Sequence, residues 1–283
     1  MTTAIKQILN LIQSDAPVIM GILNVTPDSF SDGGEFTRVE RAIEQALLMV
    51  EQGAHIIDIG GESTRPGAEP VSAEQECERV LPVISALREQ SDIPVSIDTS
   101  KPEVMRAAIE AGASMVNDVN ALRAEGAAQT CAELQVPVCL MHMQGEPRTM
   151  QQSPHYHDVL AEVKIFLQQR AEVCIAVGIR AEHIVLDPGF GFGKTLAHNL
   201  TLLTGLRELS GLQYPVLAGL SRKSMLAAIL DRPGAEDPKN RVCASVTAAV
   251  LAWQRGARWF RVHDVQATVD ALKVAQAVAT TNR

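Results

Sequence analysis

Near the end of the chain, Arg261 and His263 stand two residues apart in the run RWFRVHD. In an extended strand, residues two apart point to the same face. A guanidinium and an imidazole side by side suit an oxyanion or a diphosphate. Asp98, Asn117 and Asp187 form a second set, with two acceptor-only carboxylates and one amide that both donates and accepts. Such a set can read the edge of a planar, nitrogen-rich heterocycle, because a carboxylate facing an N–H/NH2 pair makes a two-point, charge-assisted bond. Taken singly, each of the three could equally be a helix cap. Asp118 competes with Asn117, since strand alternation turns only one of them inward. Lys223, following Ser221 and Arg222, could neutralise a carboxylate or hydrogen-bond a heterocycle, while Arg222 could be a surface residue or an ion-pair partner. Asn24 offers a carbonyl oxygen of the kind Mg2+ accepts, an ion that takes few protein ligands.

Other motifs carry less. The stretch LDPGFGFGKT, residues 186–195, ends as a P-loop ends. The phosphate motif G-x-x-x-x-G-K-[ST] requires glycine five residues before Gly193, and that position is Pro188, which has no N–H to give. Gly189, Gly191 and Gly193 are spaced G-x-G-x-G, so the dinucleotide fingerprint fails as well. The residue of interest in this stretch is Asp187, not Lys194. His155 and His157 in PHYHD lack a third partner at zinc-like spacing and read as the lead into a helix. There is no G-x-S-x-G elbow and no evident Cys–His pair for nucleophilic catalysis.

These residues need a scaffold, and the apolar pattern supplies one. Strand-length runs recur at 17–25, 55–61, 94–100, 114–119, 137–143, 183–189, 215–221 and 258–264. Amphipathic stretches separate them, such as RVERAIEQALLMVEQG with Ile43, Leu47 and Val50 on one face, and KPEVMRAAIEAG opening on Pro102. Gly53, Gly112 and Gly256 sit where helices should hand the chain to the next strand. Eight strands alternating with helices predict a parallel α/β sheet, and the count favours a closed TIM (β/α)8 barrel over an open doubly wound sheet, as a single domain spanning 1–283. Chemistry in such barrels sits at the C-terminal strand ends. Polar residues gather at those ends here, including Asn24, Glu62, Thr64, Arg65, Asp98, Asn117, Asp118, His142, Asp187, Ser221, Lys223, Arg261, His263 and Asp264. Two loops, 26–36 and 62–72, are rich in Gly, Pro and Ser and are expected to be mobile, with Phe30 and Arg65 as candidate contacts.

Composition narrows the class. Of 283 residues, 46% are apolar and 20% charged, enough for a substantial core. A net charge of −8 argues against nucleic acid as a partner, and 4% aromatic residues against base-stacking platforms. No apolar run reaches membrane-spanning length, and MTTAIKQILNLIQSDAPVIM does not read as a secretory signal. Five cysteines with no C-x-x-C pair fit reduced thiols and a cytoplasmic location, with Cys139 a buried packing residue. The partners expected are small molecules. A homodimer is left open.

The blocks MGILNVTPDSFSDGG, DIGGESTRPGA, SIDTSKPEV, VNDV, MHMQGEPRTMQ, DPGFGFGK, SRKSML and RVHDV, in this order from about residue 18 to 268, resemble dihydropteroate synthase. The resemblance implies a TIM barrel. It also implies the joining of p-aminobenzoate to 6-hydroxymethyl-7,8-dihydropterin diphosphate, giving 7,8-dihydropteroate and diphosphate in folate synthesis, and a sulfonamide target. It implies that Asp98, Asn117, Asp187 and Lys223 hold the pterin, with Met141 lining the pocket. Arg261 and His263 would hold the diphosphate, Asn24 would bind Mg2+, and Thr64 would contact the pterin diphosphate. Arg65, Pro66, Phe192 and Ser221 would line the p-aminobenzoate site, with Phe30 nearby. The implied mechanism is dissociative, with diphosphate leaving before the neutral arylamine attacks, so no strong base is needed. Asp98, Asp187, Lys223, Arg261 and His263 would be the catalytic set. The segment 230–240 is longer than the resemblance leads one to expect. Two alternatives remain. A pterin-binding methyltransferase of the methyltetrahydrofolate–corrinoid kind has no diphosphate to hold, so the Arg-x-His pair argues against it. A non-catalytic pterin-binding barrel is disfavoured by the intact Asn24, Arg65 and Arg261.

Overall fold

The computed structural model describes residues 2–26, 35–63, 67–146 and 148–281. Eight strands fall within the eight expected runs: β1 (Val18–Asn24), β2 (Ile56–Gly60), β3 (Val95–Asp98), β4 (Met115–Asp118), β5 (Val138–Met141), β6 (Ile184–Asp187), β7 (Leu217–Ala218) and β8 (Trp259–Val262). They pair in parallel in the order β6-β5-β4-β3-β2-β1-β8-β7. The ring is closed at a thin seam. Leu186 of β6 bridges Val216 just before β7, and its N–H donates to the Pro215 carbonyl at 2.9 Å. The eight-stranded barrel is therefore present, with the short β7 as its weakest stave.

The helices are α1 (Thr3–Gln13), α2 (Glu35–Glu51), α3 (Ala73–Gln90), α4 (Pro102–Glu110), α5 (Ala127–Leu134), α6 (Val159–Ala176), α7 (Leu196–Thr204), α8 (Leu206–Ser210), α9 (Ser224–Leu230), α10 (Val242–Gln254) and α11 (Val265–Thr281). Pro102 occupies the first turn of α4, where its missing N–H costs nothing. Ile43 of α2 is buried, and Leu47 and Val50 pack against the core as their spacing predicts.

The core has two shells, and strand alternation separates them. Outward residues such as Ile57, Ile59, Ile97, Val116, Leu140, Leu186 and Phe260 pack against the helices. Inward residues fill the barrel: Val18, Met20, Ile56, Met115, Cys139, Val185, Leu217 and Trp259. Ile8 and Ile12 of α1 join this inner cluster, so the first helix stops the N-terminal mouth. Its entry is capped by Thr2, whose hydroxyl accepts from the Ile5 N–H at 3.3 Å. Each of these aliphatic side chains contributes about 1.5–3 kcal/mol through burial. Two residues further along the same inward face, the interior turns polar. Ile56 is followed by Asp58, Ser96 by Asp98, Met115 by Asn117, Val185 by Asp187, and Trp259 by Arg261. The sequence thus builds an apolar plug below and an ionisable layer above.

Candidate active site

Arg261 stands at the centre of that layer. Its Nε donates to Asp58 Oδ2 at 2.6 Å, and its Nη2 donates to Asp98 Oδ2 at 2.6 Å. Asn117 donates from Nδ2 to the same Asp58 oxygen at 3.2 Å. Three strands, β2, β3 and β8, are thereby tied by one guanidinium across the barrel mouth. Burial works against the Arg261 charge, but Asp58 and Asp98 outweigh it and keep it protonated. Burial pushes the Asp98 carboxyl up, with Arg261 opposing. Asp58 is fully buried and its Oδ1 has no hydrogen-bond partner in the structure. Sequence reading overlooked Asp58, although HIIDIGG carries the signal. A carboxylate two residues after the inward Ile56 must lie in the barrel, where only a cation can hold it.

Asp187 faces the layer from β6. Its Oδ1 accepts from the Gly189 N–H at 2.7 Å. Burial pushes this carboxyl up as well, opposed by that N–H and by Lys223. The Lys223 ammonium lies 4.0 Å from the centre of the Phe192 ring, within cation–π range. Phe192 in turn packs with Met141, Met143 and Met150. An apolar wall therefore adjoins a floor of carboxylates, the arrangement a flat polar heterocycle requires. Ser221 and His263 meet at the rim. The Ser221 hydroxyl and His263 Nδ1 are 3.1 Å apart, and the same oxygen accepts the His263 N–H at 3.1 Å. Burial, aided by Arg261, lowers the His263 pKa to about 3, so the free protein presents a neutral imidazole there.

The structure decides several open points. Asn117 turns to the site. Asp118 instead accepts the Asn120 and Leu122 N–H groups, both at 2.7 Å, and shapes the loop after β4. Arg222 is an ion-pair partner, bonded to Asp264 through Nε at 3.0 Å and Nη2 at 2.5 Å. Glu62 is taken by Lys101 at 2.5 Å. His142 is buried beside Phe166, with ring centres 4.8 Å apart, and does not join the polar ring. Asp158 caps α6, so the His155–His157 run is the lead into that helix. The 230–240 segment folds back on the barrel, because buried Arg241 donates to the carbonyls of Ala235, Glu236 and Arg222. Phe30, Thr64, Arg65 and Pro66 lie outside the described residues, whereas Phe192 and Ser221 both stand at this mouth of the barrel. Among the described residues no three His, Cys, Asp or Glu side chains gather as a metal cluster. Asn24 supplies one amide oxygen at the end of β1, a donor that fits Mg2+ where phosphate oxygens and water complete the shell. Among the described residues no helix is long and apolar enough to cross a membrane.

A parallel (β/α)8 ring, plugged with apolar side chains below and floored by Asp58, Arg261, Asp98 and Asp187 above, defines a small-molecule enzyme that works at the barrel mouth. The family model described as pterin binding enzyme matches residues 20–263. The dihydropteroate synthase of Haemophilus influenzae is 51% identical over 263 residues, covering 93% of this chain and 94% of that one. The Xanthomonas albilineans dihydropteroate synthase with 4-aminobenzoic acid superposes with a TM-score of 0.88 at 55% identity, covering 94% of each chain. The same organism's enzyme in complex with 7,8-dihydropteroate gives 0.85 at 52% identity, again covering 94% of each. The chain belongs to the pterin-binding enzymes and, within them, to the dihydropteroate synthases, transferases of folate synthesis.

Proposed function

We propose that the protein forms a C–N bond between p-aminobenzoate and 6-hydroxymethyl-7,8-dihydropterin diphosphate, releasing diphosphate and 7,8-dihydropteroate. The observation that carries this reading is the Asp58–Arg261–Asp98 chain, buried at Asp58 and partly buried at Arg261 and Asp98, facing Asp187 and Lys223. Two carboxylates there can accept from the N–H and NH2 groups of a pterin edge, while Asn117 can both accept and donate. Arg261 from the floor and His263 at the rim are the donors that would face the diphosphate, with Thr64 contacting the pterin diphosphate from the second loop. Mg2+, held at Asn24, would supply charge neutralisation for the departing diphosphate. Asp98 and Asp187 then favour positive charge on the ring as the leaving group departs. Phe192 and Ser221, with Arg65 and Pro66 and with Phe30 nearby, would receive p-aminobenzoate, whose neutral amine needs no strong base to attack. A steady-state assay tests the reading. Dihydropteroate formation should require both substrates and should cease on chelation of Mg2+. Turnover that persists without p-aminobenzoate, or none with both substrates present, would count against it.

The charge on the floor gives a pH signature. Only the ionised carboxyls accept two donors, and burial raises both above the ordinary carboxylate range. The productive form is therefore lost as pH falls. We expect KM for the pterin diphosphate to rise at least about tenfold from about pH 8 to about pH 5. A KM unchanged over that range would mean that neither carboxyl accepts from the pterin.

A further inference from the structure

The glycine-rich stretch that imitates a P-loop has a different construction, and its lysine is engaged from within. Lys194 is 3% exposed. Its Nζ donates to the carbonyls of Gly189 and Phe192, each at 3.0 Å, and more distantly to that of His142 at 3.4 Å. It also lies 2.9 Å from His142 Nδ1. In a P-loop, backbone N–H groups surround an external anion. Here carbonyls surround an internal cation, which leaves the ammonium unavailable to any nucleotide phosphate.

The loop sits hard against the segment that follows β5. Gly189 has φ +68°, and a Cβ there would lie 1.9 Å from the His142 carbonyl oxygen. Gly193 has φ +61°, and its Cβ would lie 2.4 Å from the Gln144 carbonyl oxygen. Only glycine can bring two backbones so close at these dihedrals. The approach crowds carbonyl oxygens from both segments into a dry space, and Lys194 is the donor that satisfies them.

Both ends of this arrangement lead to the reaction floor. Gly189 accepts from Lys194 through its carbonyl and, through the preceding peptide, donates its N–H to Asp187 Oδ1 at 2.7 Å. The Phe192 carbonyl accepts from Lys194, and the Phe192 ring supports the Lys223 ammonium. We propose that Lys194 is a positioning residue: by clamping the 189–193 loop to the His142 segment it sets the Asp187 carboxylate and, through Phe192, the Lys223 ammonium. The inference rests on the function proposed above, in which Asp187 and Lys223 hold the pterin.

The electrostatics agree. The groups facing the Lys194 ammonium are the neutral His142 ring, Asp187 and Lys223. Burial, with Lys194 adding to it, lowers the His142 pKa to about 3, so Nδ1 stays free to accept from the lysine. Burial lowers Lys194 to about 7, with Asp187 opposing. Asp187 acts on the lysine without a direct salt bridge, and Nζ donates to the Gly189 and Phe192 carbonyls whether or not it carries the proton.

Three variants test the proposal: Lys194→Met, Lys194→Gln and Tyr156→Phe. Tyr156 donates its hydroxyl to the Gly193 carbonyl at 2.9 Å, so its loss weakens the same loop without touching the Gly189 and Phe192 carbonyls. The readout is pterin affinity by calorimetry, at a temperature where each variant is folded by circular dichroism. Loss of the donor should weaken pterin binding at least about thirtyfold in Lys194→Met and at least about fivefold in Lys194→Gln, which keeps N–H groups on a shorter arm. Tyr156→Phe should bind within about twofold of wild type while melting at a lower temperature. Either Lys194 variant, folded and binding pterin within about twofold of wild type, overturns the proposal and leaves Lys194 a purely structural clamp. If the methionine variant does not fold, the glutamine variant decides alone. Failure of the wild type to bind pterin would refute the functional reading instead, which separates the two.

Discussion

Exchanging Arg261 for methionine should lower kcat/KM for the pterin diphosphate by at least about a thousandfold, the largest effect expected of any single change in the site. The guanidinium is the shared partner of Asp58 and Asp98, each 2.6 Å away. Methionine fills much of the volume but leaves both carboxylates in the barrel without a cation. Breaking a buried pair in this way costs about 3–5 kcal/mol. That cost appears as lost stability and as a pterin floor out of alignment, and the loss of a donor to the departing diphosphate adds to the kinetic effect. The sign of the pH effect separates the two. Without Arg261, nothing offsets the burial that raises the Asp98 pKa in the folded state. Carboxyls with raised folded pKa values are neutral at low pH, so the variant is most stable there and loses stability as pH rises. Thermal melts of Arg261→Met should therefore show a deficit relative to wild type that grows from about pH 5 to about pH 8. A variant with wild-type melting behaviour and kcat/KM within tenfold would mean that the guanidinium is a rim residue and not the tie of the barrel mouth.

Asp98→Asn should give the second large effect, a loss of about a hundredfold or more in kcat/KM with the fold intact. The amide is nearly isosteric, and its oxygen can still accept from Arg261 Nη2. What it cannot do is accept a second donor on its other atom, because that atom is now an NH2 aimed at the substrate's own N–H. Losing a charge-assisted pair in a buried site costs about 2–5 kcal/mol. The asymmetry between the two variants is itself informative. Asp98→Asn should melt close to wild type and fail kinetically, whereas Arg261→Met should fail in both respects. An Asp98→Asn enzyme within threefold of wild type would make Asp98 an anchor for Arg261 and nothing more.

Most of this architecture could be read in the residues. The eight strand runs were legible because parallel strands covered on both faces become short, nearly continuous apolar segments. The strand-end rule gathers Asp98, Asn117, Asp187, Ser221, Lys223, Arg261 and His263 at one mouth, where the structure also places them. Two features were not legible. Asp58 stood inside an apolar run, and attention to strand ends passed over it. Its role depends on Arg261, 203 residues further along the chain, reaching it across the ring. Lys194 was legible only as a failed phosphate motif, since nothing in its spacing reveals that the side chain turns inward to three carbonyls. Periodicity could not choose between Asn117 and Asp118 either. The choice depends on register: β4 pairs Asn117 with Asp98 on one side and with Cys139 on the other. His142 shows the converse error. It was grouped with the polar ring by position, but it follows the inward Met141 by one residue and so faces the helices, where Phe166 and Lys194 enclose it.

In the function proposed above, this ionic floor holds a pterin while its diphosphate is displaced by an arylamine. The most direct test is a single turnover, with protein in excess over 6-hydroxymethyl-7,8-dihydropterin diphosphate, saturating p-aminobenzoate and Mg2+, quenched at successive times and analysed for both products. 7,8-Dihydropteroate and diphosphate should appear together in equal amounts, and Arg261→Met should form neither on the same timescale. Diphosphate appearing with hydroxymethylpterin in place of dihydropteroate, or product formed equally well by Arg261→Met, would contradict that function.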